Sequence, residues 1–183
     1  MKNKVILITG FPASGKTTIG KELAKLMSIP FISKDDIKEL MFDGLGWKDR
    51  EWSKKLGLVS YDLLYYFAEA LLAANTSFVI ESNFKPEFDN PKFSALKEKH
   101  DFDIIQILCK ADGEVLFERF KKRSESGQRH PGHVDVTNYD EFKTALLSGR
   151  CEPLDIEGKI IEVDTTDFRK IDIDAILRHL NAD

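Results

Sequence analysis

The chain has 183 residues, of which 42% are apolar, and its formal net charge is -4 at pH 7. This length supports one sizeable hydrophobic core and is short for two, so we expect a single domain over residues 1–183. The acidic balance argues against a general nucleic-acid-binding protein, although a local basic patch is compatible with it.

Apolar runs that fit strands alternate with stretches of helical spacing along the chain. Residues 5–8 are apolar throughout, as expected of a strand buried on both faces, and residues 15–27 then show apolar positions at helical spacing. Pro30 ends that helix. This alternation predicts an α/β fold with a parallel sheet that binds ligands at the carboxyl ends of its strands. Further strands are predicted at 31–32, 77–81, 103–108 and 159–163, helices at about 33–41, 52–74, 92–99, 114–123, 140–147 and 171–180, loops or turns at 43–49 and 86–91, and a mobile loop at 124–134.

Between the first strand and the first helix, the sequence reads G-F-P-A-S-G-K-T, which matches the G-x-x-x-x-G-K-[ST] pattern of a phosphate-binding loop. In such a loop, successive backbone N–H groups point at the phosphates and the helix N-terminus adds its positive dipole. Lys16 would reach the outer phosphates, and the Thr17 hydroxyl would hold Mg²⁺. The residues predicted to bind the nucleotide are Gly10, Ala13, Ser14, Gly15, Lys16, Thr17 and Thr18.

Two adjacent carboxylates, Asp35 and Asp36, follow the second strand at the same edge of the sheet as the phosphate-binding loop. A carboxylate there could accept the proton of an attacking hydroxyl, or orient the water shell of Mg²⁺. Ser33 and Asp36 also fit a capping box for the helix that begins here. Capping would employ Asp36 and leave Asp35 free, so we predict a catalytic role for Asp35.

The third strand ends in an acid, Glu81, followed by Ser82 and Asn83. Proteins with a phosphate-binding loop often place at this position an acid that holds Mg²⁺ or its waters. An ordinary polar strand end is the alternative interpretation. The predicted metal-binding residues are therefore Thr17, Asp35 and Glu81.

Basic residues cluster between the fourth strand and residue 134. Arg119 and Arg123 are four apart on one helical face, and Arg129 follows in a Gly- and Pro-containing segment. Guanidinium groups stabilise charge on a transferred phosphoryl group and can stack on adenine, so we predict a lid at about 119–134. We predict that Arg119 binds the nucleotide. Arg123 and Arg129 are predicted to take part in catalysis together with Lys16. Residues 164–166 could contribute to the base pocket. His130 and His133 lack the additional ligands of a zinc site.

The composition also bears on location. Cys109 and Cys151 are far apart and lack C-x-x-C spacing, which argues against a disulfide framework. The apolar stretch at 5–8 is too short for a signal peptide. No apolar run reaches membrane length, since Glu69 interrupts the longest candidate at about 67–80. We therefore expect a reducing, cytoplasmic location and no membrane partner.

Four segments together resemble a family of small AAA-type kinases, the predicted ATP-dependent P-loop kinases. They are residues 10–18, 33–36, 81–83 and 118–133. Relatives of that family include the polynucleotide 5′-hydroxyl kinase domain, chloramphenicol phosphotransferase and zeta-toxin-like kinases. The resemblance implies a P-loop NTPase three-layer sandwich, in which a five-stranded parallel sheet has helices on both faces and a helical lid. It also implies ATP and Mg²⁺ as cofactors.

The polynucleotide kinase domain offers a residue-level comparison. The first of its two adjacent aspartates is the general base, and this residue corresponds to Asp35 here. It has an arginine where this chain has Lys38, and Asp-Thr-Asn where this chain has Glu81-Ser82-Asn83. These departures argue against a polynucleotide acceptor, because a lysine cannot clamp a phosphate bidentately as arginine does.

We therefore expect an enzyme that transfers the γ-phosphate of ATP to a hydroxyl of a small-molecule or nucleotide-like acceptor. A polynucleotide 5′-hydroxyl kinase is the alternative acceptor class. A nucleotide-dependent switch or binding module is the alternative from a different class. A GTPase of that kind would carry an N-K-x-D element, which the sequence lacks, and an AAA-type motor would need a further helical domain.

Overall fold

The computed structural model describes residues 2–137 and 139–181. Five parallel strands form one sheet in the order β2-β3-β1-β4-β5, so the strand that precedes the phosphate-binding loop is central. The strands are β1 (Asn3–Gly10), β2 (Phe31–Ser33), β3 (Phe78–Glu81), β4 (Phe102–Lys110) and β5 (Lys159–Asp164). The α-helices are α1 (Lys16–Met27), α2 (Lys34–Leu45), α3 (Arg50–Ala73), α4 (Pro86–Lys99), α5 (Gly113–Glu125), α6 (Tyr139–Leu147) and α7 (Ile173–Asn181).

Helices cover both faces of this sheet, which confirms the predicted α/β P-loop fold. Val5 and Leu7 of β1 pack into one core with α3 and α4, while Ile6 and Ile8 face a second core with α1 and α7. All four side chains are fully buried. Strands with two covered faces are apolar at every position, and this is why residues 5–8 do not alternate.

The register of the sheet brings three strand ends together beside the phosphate-binding loop. Glu81, the last residue of β3, is level with Ile8 of β1 and with Ser33, the last residue of β2. α2 begins directly after Ser33. The edge of the sheet predicted to bind ligands therefore carries the loop, an acid and the start of a helix.

Helix α4 begins earlier than the sequence predicts. The turn predicted at 86–91 is wrong, because α4 starts at Pro86 and continues through Pro91. A proline at the first position of a helix costs nothing, since that N–H has no partner within the helix. The buried Asp89 carboxylate secures this start: it accepts the backbone N–H of Lys85 at 2.5 Å and the Tyr65 hydroxyl at 2.6 Å.

Helix α3 confirms the long helix predicted at about 52–74, but it is more apolar than we expected. Its 24 residues have a mean hydropathy of 1.3 in an 18-residue window, enough by length and composition to cross a membrane. The expectation that no apolar run reaches membrane length is therefore wrong for this helix. One face of α3, including Leu56, Leu64, Ala68 and Leu72, is buried in the fold.

The contacts of Asp89 lead to a stability prediction. Asp89→Ala leaves the Tyr65 hydroxyl and the Lys85 N–H without their partner, so we expect a loss of about 2 kcal/mol in the free energy of unfolding. Urea unfolding measures this. Glu87→Ala is the matched control, because Glu87 is an exposed acid in the same first turn and should change stability by less than about 0.5 kcal/mol. Equal effects of the two substitutions would contradict the role assigned to Asp89.

Candidate active site

The phosphate-binding loop has the backbone that its glycines allow. Gly15 has φ +81° and lies against the ring of Phe168, where a Cβ would approach the ring atoms to 2.2 Å. At Gly10 a Cβ would lie 2.6 Å from the Cys109 carbonyl oxygen. Only glycine fits these two positions. Ala13 also adopts a left-handed conformation, and Thr18 lies exposed in the first turn of α1.

The Ser14 and Lys16 side chains are buried within this loop. Ser14 Oγ has no hydrogen-bond partner among the residues that the structure describes. Lys16 Nζ donates to the Phe11 carbonyl at 3.1 Å and lies 3.7 Å from Glu81 Oε1. The Lys16 ammonium group of the loop therefore lies beside the Glu81 carboxylate of β3.

Glu81 joins three elements at the sheet edge. Its Oε2 accepts the Thr17 hydroxyl at 3.1 Å and the Ser33 hydroxyl at 2.8 Å, and the residue is 4% exposed. These are hard oxygen atoms of the kind that Mg²⁺ prefers. The predicted neighbourhood of Thr17 and Glu81 is thus present in the structure.

The capping box predicted from Ser33 and Asp36 is wrong. Ser33 makes no side-chain cap, because its hydroxyl donates to the Glu81 carboxylate, and a charged acceptor gives the stronger hydrogen bond. Asp36 instead pairs with Lys21 at 3.1 Å, outside the cavity described below. Of the two adjacent acids, only Asp35 lines that cavity.

The Asp35 carboxylate contacts two cations. Lys34 Nζ and Arg129 Nη2 each lie 2.8 Å from its oxygens. Burial raises the pKa of Asp35, but these two cations outweigh burial and hold the pKa well below its usual range. Asp35 is therefore ionised at neutral pH.

The segment predicted as a mobile loop is docked on α2. Arg129 pairs with Asp35 and, at 3.3 Å each, with Glu39 and Asp135. His133 Nε2 lies 2.8 Å from Glu39 Oε1. Helix α5 also extends to Glu125, so the irregular part of the predicted lid is shorter than 124–134.

Aromatic contacts strengthen this docking. The His130 ring stacks on Phe42 with centroids 5.1 Å apart, and His130 Nε2 lies 3.2 Å from Asp43. Gly132 is pressed against the same phenyl ring, where a Cβ would lie 2.6 Å from ring atoms. Both imidazoles of the segment thus face carboxylates of α2.

Arg123 carries a guanidinium group with unused donors. Its Nε and Nη2 are buried and have no hydrogen-bond partner within residues 2–137 and 139–181. Burial, with a contribution from Arg129, lowers the pKa of Arg123. A buried cation with free donors is suited to an anionic ligand, since leaving such a group unpaired is costly.

Arg119 lies on the same helix but contacts a different part of the protein. Its guanidinium donates to the carbonyls of Thr165 and Thr166 at 2.8 Å each and stacks 4.6 Å from the Phe168 ring centroid. Phe168 also contacts Gly15 of the phosphate-binding loop. Phe168 is not among the site residues predicted from the sequence; the available signal was an aromatic residue two positions after Thr166.

A cavity of about 560 Å³ connects these groups. It runs between the phosphate-binding loop, α2, α3 and the docked segment, and eight cationic side chains and four carboxylates line it. Its basic residues on α3 were not predicted from the sequence, because their spacing resembles that of any solvated helix face. The cations are Lys16, Lys34, Lys38, Arg50, Lys54, Lys85, Arg123 and Arg129, and the carboxylates are Asp35, Glu81, Asp135 and Glu141.

Arg50 and Glu141 join α3 to α6 at one side of this cavity. The guanidinium of Arg50 donates to both carboxylate oxygens of Glu141, at 3.0 and 2.8 Å, and Lys54 lies 3.4 Å from the same carboxylate. Such a bidentate pair adds geometric specificity to the contact between its two helices, while its exposure keeps its contribution to stability small. The cavity is therefore bounded on this side.

Comparisons with known proteins agree with this geometry. The family model described as an AAA domain matches residues 5–146. The crystal structure of a "putative kinase" from Chloroflexus aurantiacus J-10-fl is 39% identical, with a TM-score of 0.89 over 98% of this chain and 97% of that chain. No curated protein matches the chain.

More distant structures share the fold alone. A sugar kinase from Janibacter sp. HTCC2649 has a TM-score of 0.54 at 18% identity, covering 98% of this chain and 92% of that chain. Shikimate kinase from Acinetobacter baumannii, in complex with shikimate, has a TM-score of 0.51 at 15% identity, covering 98% and 93%. The family resemblance found in the sequence is thereby confirmed: the chain belongs to this AAA domain family and has a P-loop kinase-like fold.

Proposed function

We propose that the protein is a kinase that transfers the γ-phosphate of ATP to a hydroxyl of a small-molecule or nucleotide-like acceptor. The observation that carries this proposal is that one cavity holds Lys16 of the phosphate-binding loop, the ionised Asp35 and the unpaired guanidinium of Arg123. Phosphoryl transfer requires these three groups, namely a phosphate anchor, a proton acceptor and a positive charge for the transferred group.

The phosphate-binding loop would hold the nucleotide. Backbone N–H groups of residues 13–17 and the Lys16 ammonium group bind the phosphates, and Arg119 with Phe168 borders the base. Thr17 would hold Mg²⁺, with Glu81 or Asp35 acting through water. Their hydroxyl and carboxylate oxygens suit this ion, which supplies charge neutralisation at the phosphates.

Asp35 would receive the proton of the acceptor hydroxyl. The acceptor oxygen forms a bond to the γ-phosphorus, the bond from that phosphorus to the β–γ bridging oxygen breaks, and the hydroxyl proton passes to Asp35. A low pKa makes Asp35 a weak base. That fits a loose transition state, in which the hydroxyl loses its proton only as the new bond forms.

The two arginines would act from different sides. Arg123, with free donors, contacts the transferred phosphoryl group. Arg129 orients the Asp35 carboxylate and adds positive charge beside it. A small acceptor is favoured over a polynucleotide because the Arg50–Glu141 pair bounds the cavity. We place such an enzyme in the cytoplasm.

Asp35→Asn tests the role of the proton acceptor. We expect acceptor-dependent transfer to fall by about 10²- to 10⁴-fold, with a much smaller loss of Mg²⁺-ATP binding because Asp35 would reach the ion only through water. The assay measures γ-phosphate transfer to a 5′-hydroxyl oligonucleotide, a nucleoside panel and a metabolite extract, beside ATP hydrolysis alone. Asp36→Asn is the control, since Asp36 lies outside the cavity.

Full transfer activity in Asp35→Asn would overturn the assignment of the base. Slow hydrolysis that no acceptor stimulates and that Asp35→Asn leaves unchanged would favour the switch alternative. Transfer to the oligonucleotide alone would favour the polynucleotide alternative, which further predicts binding that weakens steeply with salt.

Arg123→Met separates charge stabilisation from folding. Because the Arg123 guanidinium has buried donors without partners, we expect this substitution to leave Tm unchanged or higher. The transfer rate should fall by about 100-fold or more. Arg119→Met is the comparison: it removes two hydrogen bonds to carbonyls, so it should lower Tm and weaken nucleotide binding. A large loss of Tm in Arg123→Met with little loss of rate would contradict the assignment.

A further inference from the structure

A second cavity, of about 540 Å³, lies between α3 and the start of α4, and we call it the apolar pocket. It is lined by Leu58, Tyr61 and Tyr65 of α3 and by Phe88 of α4. This volume and this apolar, aromatic lining are typical of sites that bind small molecules. None of the residues that we assign to ATP or to phosphoryl transfer lines the apolar pocket, so the proposed function gives it no role.

The apolar pocket adjoins the active-site cavity. Leu58, Tyr61 and Lys85 line both of them. The pocket also lies close to the predicted proton acceptor, because Lys34 Nζ is 2.8 Å from Asp35 Oδ1 and 5.5 Å from the centroid of the Tyr61 ring. One ammonium group therefore separates that ring from Asp35. A small molecule whose hydroxyl lies at Asp35 can extend past Tyr61 into the pocket.

The two tyrosines of the pocket are held in place by their hydroxyl groups. The Tyr61 hydroxyl donates to the Asn83 carbonyl at 3.2 Å and accepts the Ser82 hydroxyl at 3.0 Å. The Tyr65 hydroxyl donates to Asp89 at 2.6 Å. Because these polar tips are bonded within the protein, the pocket offers the rings to a ligand. Side chains that are already fixed lose little conformational entropy when a ligand binds.

Two exposed apolar side chains line the pocket together with these rings. Leu58 is 71% exposed and Phe88 is 66% exposed, and they come from different helices. A single exposed apolar residue is common on protein surfaces and needs no explanation. Here two of them share one pocket with two aromatic rings. A ligand in the pocket would remove from water apolar surface that folding leaves exposed.

Two lysines favour an aromatic ligand over a saturated one. Lys85 and Lys92 line the pocket, and Lys92 Nζ lies 5.9 Å from the centroid of the Tyr65 ring. An ammonium group is attracted to the face of an aromatic ring, and a saturated ring lacks this attraction. An aromatic side chain such as Phe88 also pairs with a second aromatic ring more favourably than the buried area alone accounts for.

We propose that the phosphoryl acceptor carries an aromatic ring, and that this ring binds in the apolar pocket beside Tyr61, Tyr65 and Phe88 while the acceptor's hydroxyl lies at Asp35. This inference rests on the kinase function proposed above, and it names the part of the acceptor that does not react. An aryl group and a nucleobase share this chemistry, and matched acceptors separate them.

Phe88→Ala removes one wall of the apolar pocket. Because Phe88 is largely exposed, the substitution should leave Tm nearly unchanged. Tyr66→Ala is the matched control. Tyr66 lies on α3, is 68% exposed and lines neither cavity, so this substitution removes an aromatic ring of similar exposure from outside the pocket.

The closing experiment first measures binding of the ring. The protein is saturated with Mg²⁺ and a non-hydrolysable ATP analogue, so that no other ring can enter the nucleotide site. Glycerol phenyl ether, glycerol cyclohexyl ether, uridine and adenosine are then titrated in separate arms by calorimetry. We expect at least one aromatic compound to bind more tightly than the cyclohexyl ether. Phe88→Ala should weaken that binding at least about tenfold, and Tyr66→Ala should not. Binding of the phenyl ether alone assigns an aryl acceptor, and binding of a nucleoside assigns a nucleobase.

Transfer assays with Mg²⁺-ATP then separate the two proposals. Each aromatic acceptor is compared with its counterpart without the aromatic ring, glycerol or ribose, and Asp35→Asn is the control for transfer. We expect the aromatic acceptor to have the higher kcat/KM, mainly through a lower KM. Phe88→Ala should remove this advantage, because it removes a contact that the counterpart does not make.

Several results would overturn the inference. Absence of ring binding, or ring binding that is equal in Phe88→Ala, would do so. Asp35-dependent transfer to glycerol or ribose as good as that to the aromatic acceptors would also do so and leave the kinase intact. A dimer that Phe88→Ala dissociates, measured by sedimentation, would assign the pocket to a second copy of the chain. Ring binding that depends on Phe88, with hydrolysis that no acceptor stimulates, would instead contradict the kinase and with it the ligand's role as acceptor.

Discussion

The buried carboxylate of Glu81 is the constraint on which the candidate site depends. It accepts hydroxyls from Thr17 and Ser33 and lies beside the Lys16 ammonium group, so it joins the ends of β2 and β3 to the start of α1. A carboxylate buried in this way is stable only with several donors, and here the donors come from two separate segments, the start of α1 and the end of β2. Because Ser33 is held by Glu81, α2 begins at a fixed place. The position of Asp35 on the cavity wall follows from that contact.

The cations of the cavity divide into those that have a carboxylate partner in the protein and those that have none. Lys16 pairs with Glu81, and Lys34 pairs with Asp35. Lys38 and Arg123 are different, since neither has a carboxylate within ion-pair distance in the described residues. Desolvating a cation without an anion costs stability, and a protein retains such a cation where a ligand repays the cost. The free donors of Arg123 on α5 are therefore suited to the transferred phosphoryl group.

Much of the fold could be predicted from the sequence because its signals are local. The apolar run at 5–8 and the glycine-rich loop fix the central strand and the first helix without help from distant residues. The residues next to Ser33 gave no reason to reject the capping box. The hydrogen-bond acceptor that competes for the Ser33 hydroxyl, Glu81, is 48 residues away. Pro86 and Pro91 likewise suggested a turn, because the contact that stabilises the helix there is also distant in sequence. Asp89 accepts the hydroxyl of Tyr65 on α3. The errors occur where a tertiary contact overrides a local preference.

The docked segment shows how one helix can serve both the acceptor and the lid. Asp35, Glu39 and Asp43 are spaced four residues apart on α2, so their carboxylates form one stripe. Arg129, His133 and His130 contact this stripe in turn. Asp35 is therefore at once the predicted proton acceptor and the first docking point of the basic segment. An acceptor hydroxyl that approaches Asp35 must share this carboxylate with Arg129, which couples acceptor binding to the position of the lid. The sequence concealed this coupling, because the prediction ended α2 at residue 41 and placed Asp43 in a loop.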